Sequence, residues 1–176
     1  VKHAEDFDNV GLLVGNPTNS VKKALITIDT LENVVDEAIE NKCDLIISFH
    51  PIIFTGLKKL TQETYIERVV IKAIKNNINI YSIHTNLDNH PKGINYQFSK
   101  HLSLINTEIL IKKNNSEFGM GMIGELNKEL DELHFLNYLK EKMNVKIIKH
   151  SPLLNKKIKK VAVLGGSGSF AIKDAL

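Results

Sequence analysis

An alternation of apolar runs and helical patterns in the first half of the chain constrains the fold most strongly. Three runs rich in β-branched residues predict buried strands, and they are Lys23–Ile28, Asp44–Ser48 and Ile78–Ile83. Between them, Leu31–Asn41 and Thr64–Asn76 repeat apolar residues with the period of a helix. Long crossovers, and strands without polar alternation, are typical of parallel pairing. The sequence therefore predicts an α/β fold of layered, mostly parallel sheets with flanking helices.

The pattern continues beyond the third strand, through a polar linker and into a second αβ region. Gly93–Leu102 predicts a short helix and Thr107–Ile111 a strand, after which Lys112–Glu117 is polar and without periodicity. Beyond it, strands are expected at Gly119–Leu126, Val145–Lys149 and Lys160–Leu164. Helices are expected at Glu132–Met143 and Phe170–Leu176. We therefore predict a first α/β subdomain over residues 1–111, a linker over 112–118, and a second subdomain over 119–176 that lacks its last strand.

The composition is typical of a globular protein, with 43% hydrophobic and 24% charged residues among 176. No uncharged stretch reaches the roughly 20 apolar residues of a spanning helix, and no signal-peptide pattern is recognised, so no membrane partner is expected. The single cysteine, Cys43, excludes an internal disulfide and favours a reducing, cytoplasmic location. The net charge of +3 comes from lysines, with Arg68 as the one arginine, which disfavours sequence-specific recognition of nucleic acid.

Two histidines follow directly on predicted buried strands. His50 comes after the second strand, and His84 opens a polar segment that ends at Asp88. Because ligands of open α/β sheets bind beyond the carboxyl ends of the strands, we expect His50 and Asp88 to converge on one crevice. Imidazole and carboxylate groups bind zinc, iron or manganese, and His84 is a candidate proton carrier or orienting residue. The alternative is that these side chains only close strand ends and turns through ordinary hydrogen bonds.

Three weaker features complete the set of candidates. Asp29 and Thr30 precede a predicted helix and are expected to cap its N-terminus. Asp8 and the following residue either contact a ligand or form a tight turn that enters a strand. The turn Gly165–Ser169 either cradles an anion at a helix N-terminus or packs a strand closely against a helix.

Five segments of the chain, in this order, resemble the Nif-three-like family, whose members are named GTP cyclohydrolase I type 2 homologues. They span nearly the whole chain and are Asp8–Pro17, Asp44–Phe54, Tyr81–Asn95, Gly121–Leu126 and Lys160–Phe170. The second and third segments are specific in combination. The resemblance implies two similar α/β subdomains related by a pseudo-dyad, a dinuclear divalent-metal centre between them, and a toroidal homohexamer.

The same resemblance implies roles for individual residues. His50 matches the second histidine of the family's His-His-Pro motif and Asp88 the aspartate of its His-Thr-Asn-Leu-Asp motif, so both are expected to bind metal. Phe49 stands where the family usually has the first histidine, and one metal is expected to lose a ligand. The family's other histidine and glutamate ligands lie nearer its C-terminus than any segment of this chain. Larger members carry an inserted domain where Lys112–Glu117 stands here. The expected cofactors are one or two divalent ions per chain, Zn, Fe, Mn or Mg.

These observations leave three functional hypotheses. The leading one is a metal-dependent, hydrolase-like protein that acts on an unidentified small molecule, with metal at His50 and Asp88 and proton transfer by His84. The alternative is a non-catalytic metal-binding scaffold or regulatory protein, which Phe49 favours. A third hypothesis is a ring that binds nucleic acid through lysines, although the lysine-rich run Asn155–Lys160 lacks interleaved aromatic residues.

Overall fold

The computed structural model of the protein describes residues 2–113 and 117–176. The chain forms two compact units, Val1–Leu87 and Asp88–Leu176, and each has its own sheet. Residues 114–116 of the predicted linker lie outside the described residues, and the predicted boundaries at 111 and 118 stay predictions. None of the helices in the described residues combines the length and the hydrophobicity needed to cross a membrane.

The first unit is built on a four-stranded sheet. Its strands, in chain order, are β1 (Gly11–Val14), β2 (Ala24–Thr27), β3 (Leu45–Ser48) and β4 (Asn79–Ser82). They lie in the order β1-β4-β3-β2 across the sheet. The pairs β2–β3 and β3–β4 are parallel, whereas β1 is antiparallel to β4. The prediction of an α/β fold with parallel strands joined by helical crossovers is confirmed in this unit.

Two helices connect the parallel strands. Helix α1 (Glu32–Glu40) leads from β2 to β3, and helix α2 (Tyr65–Lys75) leads from β3 to β4. Both crossovers run in the same direction across the sheet, so their common handedness places both helices on one face, where α1 contacts α2. The core between helices and sheet includes the buried side chains of Val35, Ala38, Ile46, Val69, Ala73 and Ile80.

The second unit contains a three-stranded antiparallel sheet in the order β5-β6-β7. Its strands are β5 (Ile105–Lys112), β6 (Gly119–Asp131) and β7 (Lys157–Val163). Helices α4 (Ile94–His101) and α5 (Glu132–Met143) contact β6. The short connection from β5 to β6 suits antiparallel pairing, because only parallel neighbours require a long crossover.

The chain also contains two short helices. Helix α3 (His84–Asp88) follows β4, and helix α6 (Ile172–Ala175) follows a 3₁₀ turn.

Two local predictions differ from the structure. Residues Val145–Lys149 were expected to form a strand, which is wrong: this stretch is irregular and Ile147 is 80% exposed. A segment with high β-propensity forms a strand only when it pairs with a neighbour, and residues 145–149 pair with none of the strands in the described residues. The expected cap of α1 is also wrong, because Leu31 occupies the N-cap position and no side chain bonds there. The polar segment from His84 to Asp88, for which no secondary structure was predicted, forms a short helix.

Removal of the Ile46 side chain is expected to test the core of the first unit. Ile46 is fully buried, so Ile46→Ala should lower the free energy of unfolding by about 2–5 kcal/mol. Ile26 on the neighbouring strand is 79% exposed, and Ile26→Ala should change it by less than about 0.5 kcal/mol. Urea unfolding of both variants measures the difference. Equal losses in the two variants would contradict this placement of the core.

Candidate functional site

Three aromatic rings meet beyond the carboxyl ends of β3 and β4. Phe49 and His50 follow β3 directly, and His84 begins α3. The ring centroid of Phe49 lies 5.0 Å from that of His50 and 5.6 Å from that of His84. The two imidazole centroids are 5.6 Å apart, with the ring planes inclined by 69°. The structure therefore brings together the two histidines that the sequence selected.

Backbone hydrogen bonds continue the parallel ladder beyond the strand ends and fix these residues. The N–H of Phe49 donates to the carbonyl of Thr27 at 3.0 Å, and the N–H of His50 to the carbonyl of Ile28 at 2.9 Å. On the other side, the N–H of His84 donates to the carbonyl of Phe49 at 2.9 Å. Because both histidines are held by main-chain bonds to neighbouring strands, the positions of their Cα atoms depend on the sheet rather than on a free loop.

His50 is oriented by a carboxylate that the sequence assigned to another role. The Oδ1 atom of Asp29 lies 2.7 Å from Nδ1 of His50, and both side chains are about half exposed. Asp29 was expected to cap α1 but contacts His50 instead, 21 residues along the chain. No local pattern marks this contact, although both residues stand just beyond neighbouring parallel strands.

His84 has a second and more deeply buried carboxylate partner. Oδ1 of Asp8 lies 2.8 Å from Nδ1 of His84, and the Asp8 side chain is completely inaccessible to solvent. Oδ2 of Asp8 accepts the backbone N–H of Thr85 at 3.1 Å and also the Thr85 hydroxyl. The sequence left Asp8 as a ligand contact or a turn residue, and the structure makes it the partner of His84.

The hydrogen bonds around Asp8 determine its charge. Burial alone would raise the pKa of the Asp8 carboxyl, but the hydrogen bonds from Thr85 and His84 outweigh burial and hold this pKa below its ordinary value. Asp8 is therefore ionised at neutral pH and can act only as a hydrogen-bond acceptor. A buried negative charge consequently lies directly behind the His84 ring.

The other residues selected from the sequence have local roles in the second unit. Asp88 ends α3, and its backbone carbonyl accepts a hydrogen bond from the Asn95 amide at 3.1 Å. Its convergence with His50 stays a prediction. At the glycine turn, the N–H of Gly165 donates to Oδ1 of Asn95 at 2.7 Å. A Cβ atom at Gly165 would lie only 3.1 Å from the Phe98 ring, which supports close packing as the reason for glycine here.

The two histidines share one feature with metal-binding histidines. Within residues 2–113 and 117–176, no three His, Cys, Asp or Glu side chains form a ready cluster of ligands. The two imidazoles nevertheless fit a metal in one respect, because a carboxylate on Nδ1 is the usual support of a metal-binding histidine and leaves Nε2 for the ion. Phe49 contacts both rings and has no lone pair to offer. Any ion bound here needs further ligands from water, substrate or other residues.

Comparison with known proteins places the chain in a family. The profile described as Duf34/NIF3 (NGG1p interacting factor 3) matches residues 1–176. The chain belongs to this family. Among curated Duf34/NIF3 relatives, the GTP cyclohydrolase 1 type 2 homologs of Clostridium acetobutylicum and Clostridium perfringens are each 39% identical over 173 residues. These alignments cover 97% of this chain but only 65% and 66% of those proteins, so the chain spans just under two thirds of their length.

Solved structures show the same fold. A Staphylococcus aureus hypothetical protein superimposes with a TM-score of 0.86 at 30% identity, covering 96% of this chain and 68% of that chain. A Bacillus cereus protein related to NIF3 gives a TM-score of 0.89 at 24% identity, covering 99% and 74%. The second likeness concerns the fold alone. The resemblance to the Nif-three-like family inferred from five sequence segments is thus confirmed.

Acid is expected to destabilise the protein through Asp8. Because the pKa of Asp8 is lowered in the folded protein, its contribution to stability is complete above the ordinary value of 3.8 and is lost as the pH falls through the lower folded-state pKa. Asp8→Asn should therefore lower the free energy of unfolding at neutral pH and weaken its fall below about pH 4. Urea unfolding across this range measures both effects.

A matched control is Asp36→Asn, since Asp36 is an exposed carboxylate paired with Lys72 on the same unit. This variant should retain the acid dependence of the wild type. An Asp8→Asn protein with the stability and the acid dependence of the wild type would contradict the role of the buried carboxylate.

Proposed function

We propose that this Duf34/NIF3 protein binds a divalent metal ion through His50 and Asp88 and acts as a hydrolase-like protein on a small-molecule substrate. The observation that carries the proposal is the pair of imidazoles at the carboxyl ends of parallel strands, each bonded through Nδ1 to an aspartate. Sites in open α/β sheets occur at this edge, and carboxylate-supported histidines are typical of metal centres. The family resemblance adds Asp88 as the carboxylate ligand.

The chemistry follows from the roles that these residues can take. When bound, a divalent ion polarises a substrate oxygen and lowers the pKa of water. His50 would hold the ion through Nε2. His84 would accept or deliver a proton at its own Nε2, while the buried Asp8 carboxylate holds the ring through Nδ1. Phe49 packs in T-shaped contacts against both imidazoles and adds an apolar ring beside them.

The second candidate function is a metal-binding scaffold or regulatory protein without turnover. Phe49 favours it, because this residue cannot replace the histidine that the family usually places there. A toroidal homohexamer and a cytoplasmic location belong to the proposal on the strength of the resemblance and of the lone Cys43, respectively. The nucleotide-derived name of the curated relatives assigns no substrate to this chain.

Metal content tests the proposed site. Full-length protein purified without chelator should contain about one divalent ion per chain, and His50→Ala and Asp88→Ala should each lose most of it, since each removes a ligand. Elemental analysis measures the content, and Zn²⁺ titration calorimetry measures affinity. His134→Ala is the matched control, because His134 is an exposed histidine of the second unit that also contacts an aspartate. Wild-type protein that takes up no metal would refute the proposal.

Turnover distinguishes the two candidate functions. A panel of nucleotide and phosphoester substrates should show hydrolysis by the wild type that Asp88→Ala abolishes. Metal uptake without turnover on any of these substrates would favour the scaffold. His84→Gln should separate proton transfer from binding, with normal metal content and reduced turnover.

Restoring the missing histidine is expected to change the number of bound ions. Phe49→His would place a third imidazole beside His50 and His84, where the ring of Phe49 now lies 5.0 and 5.6 Å from theirs. The metal content should rise from about one ion per chain toward two, because an added imidazole supplies a further metal ligand. Phe49→Leu is the control for loss of the ring. An unchanged content in Phe49→His would show that Phe49 does not limit metal binding.

A further inference from the structure

We propose that Asp29 and Asp8 are positioning residues that commit His50 and His84 to the tautomer protonated at Nδ1, so that both imidazoles present Nε2 at the candidate site. The inference deepens the proposed function and rests on it for the use that is made of Nε2. The assignment of the two tautomers rests on hydrogen bonds alone. Neither aspartate was selected for this role by the sequence.

The surroundings of Asp8 leave its carboxylate one bonding pattern. Oδ1 accepts the backbone N–H of Asn9 at 2.9 Å, and Oδ2 accepts the backbone N–H of Thr85 at 3.1 Å. Two backbone N–H donors, one on each oxygen, favour the ionised form of Asp8, which has no proton to donate. The remaining partner of Oδ1, Nδ1 of His84 at 2.8 Å, must therefore carry a proton.

The Thr85 hydroxyl strengthens this assignment. Its oxygen accepts the backbone N–H of Glu5 at 3.0 Å and is also bonded to Oδ2 of Asp8. Since Oδ2 cannot donate, the single hydroxyl proton of Thr85 points to Asp8. The chain of donors from Glu5 through Thr85 to Asp8 runs in one direction. Thr85 is 5% exposed and the Asp8 side chain is fully buried, so water does not compete for these bonds.

Asp29 acts on His50 through the register of the sheet. Thr27 and Ser48 are paired in β2 and β3, and Asp29 and His50 each stand two residues further along. The two side chains therefore emerge next to each other from adjacent strands, and the N–H of His50 is bonded to the carbonyl of Ile28. Because both side chains are about half exposed, the Asp29–His50 pair contributes little to the free energy of unfolding. The hydrogen bond nevertheless fixes which nitrogen of the His50 ring faces Asp29.

The two anchored rings present their second nitrogens together. With Nδ1 of each ring turned to its aspartate, Nε2 is the atom left for ligand or proton. The imidazole centroids lie 5.6 Å apart, and Phe49 contacts both rings at their edges. His50 and His84 thus each leave Nε2 as an acceptor, and each has an aspartate bonded to its Nδ1. An Nε2–H tautomer would place a proton where the ion or the reacting group must bind.

Nitrogen-15 NMR of the metal-free, full-length protein reads the tautomers directly. At a pH where the imidazoles are neutral, wild-type His50 and His84 should both show protonated Nδ1 and unprotonated Nε2, with the signals assigned from His50→Gln and His84→Gln. Asp29→Ala should shift His50 toward the Nε2–H form and leave His84 unchanged. Asp8→Asn should do the reverse. Asp36→Asn should alter neither ring.

The wild-type spectrum decides the matter even if Asp8→Asn does not fold. A predominant Nε2–H form of either histidine in the wild type would overturn the proposal. So would an Asp29→Ala spectrum in which His50 keeps its wild-type tautomer.

Zn²⁺ affinity provides an independent readout. Loss of an outer carboxylate commonly weakens metal binding 10–100-fold, so Asp29→Ala should raise the dissociation constant by about that factor, while the control Asp36→Ala should not. An affinity of Asp29→Ala within about twofold of the wild type would overturn the role of Asp29 in metal binding. Wild-type protein that binds no Zn²⁺ would refute the proposed metal function, whereas the tautomers would still be measured by NMR.

Discussion

The parallel register of β2, β3 and β4 is the constraint on which the rest of the first unit depends. Thr27, Ser48 and Ser82 lie side by side in the three strands. Counting two residues onward from each gives Asp29, His50 and His84, so three polar side chains emerge as one row at the same edge of the sheet. Hydrogen bonds between strands set this alignment, and a shift of one residue in any strand would turn its side chain to the opposite face. The chemistry of the site is therefore a consequence of strand pairing.

Much of the first unit could be predicted from local pattern. Runs of β-branched residues and helical periodicity identify strands and helices because burial on the sheet and along one helix face leaves a direct record in the sequence. His50 and His84 could be found because both follow such runs. The helix at His84 was less visible, since its five residues are too few to show a period.

The features that the sequence could not reveal are contacts between residues far apart along the chain. The contact of Asp8 with His84 joins residues 76 positions apart, and no local pattern announces it. Asp29 carries the signature of a helix cap, but the packing of two strands gives it another partner. The predicted strand at Val145–Lys149 fails for a related reason, because a strand exists only where a neighbour offers its hydrogen bonds. In each case a tertiary contact outweighs a local preference.

Phe49 gives the chain its own character within the family. Its ring packs against the rings of His50 and His84. It stands at the position where the family resemblance implies a histidine, and it has no nitrogen to bind a metal. Phe49 thus contributes packing to this group of rings but no metal ligand. The two imidazoles keep their bonds to aspartates, and under the proposed function Phe49 would limit the number of ions that these residues can hold.

The bond between Asp8 and Thr85 also bears on how the first unit folds. It spans 77 residues of sequence, and strands β2, β3 and β4 lie between its two ends. Closing so long a loop costs entropy before any bond rewards it, and contacts of large sequence separation slow folding. We therefore expect the N-terminal segment to dock late, onto strands β2, β3 and β4 that are already paired. Before this step, β2, β3 and β4 would be paired and His84 would be in place, but the Asp8 carboxylate would not yet be bonded to its Nδ1 atom.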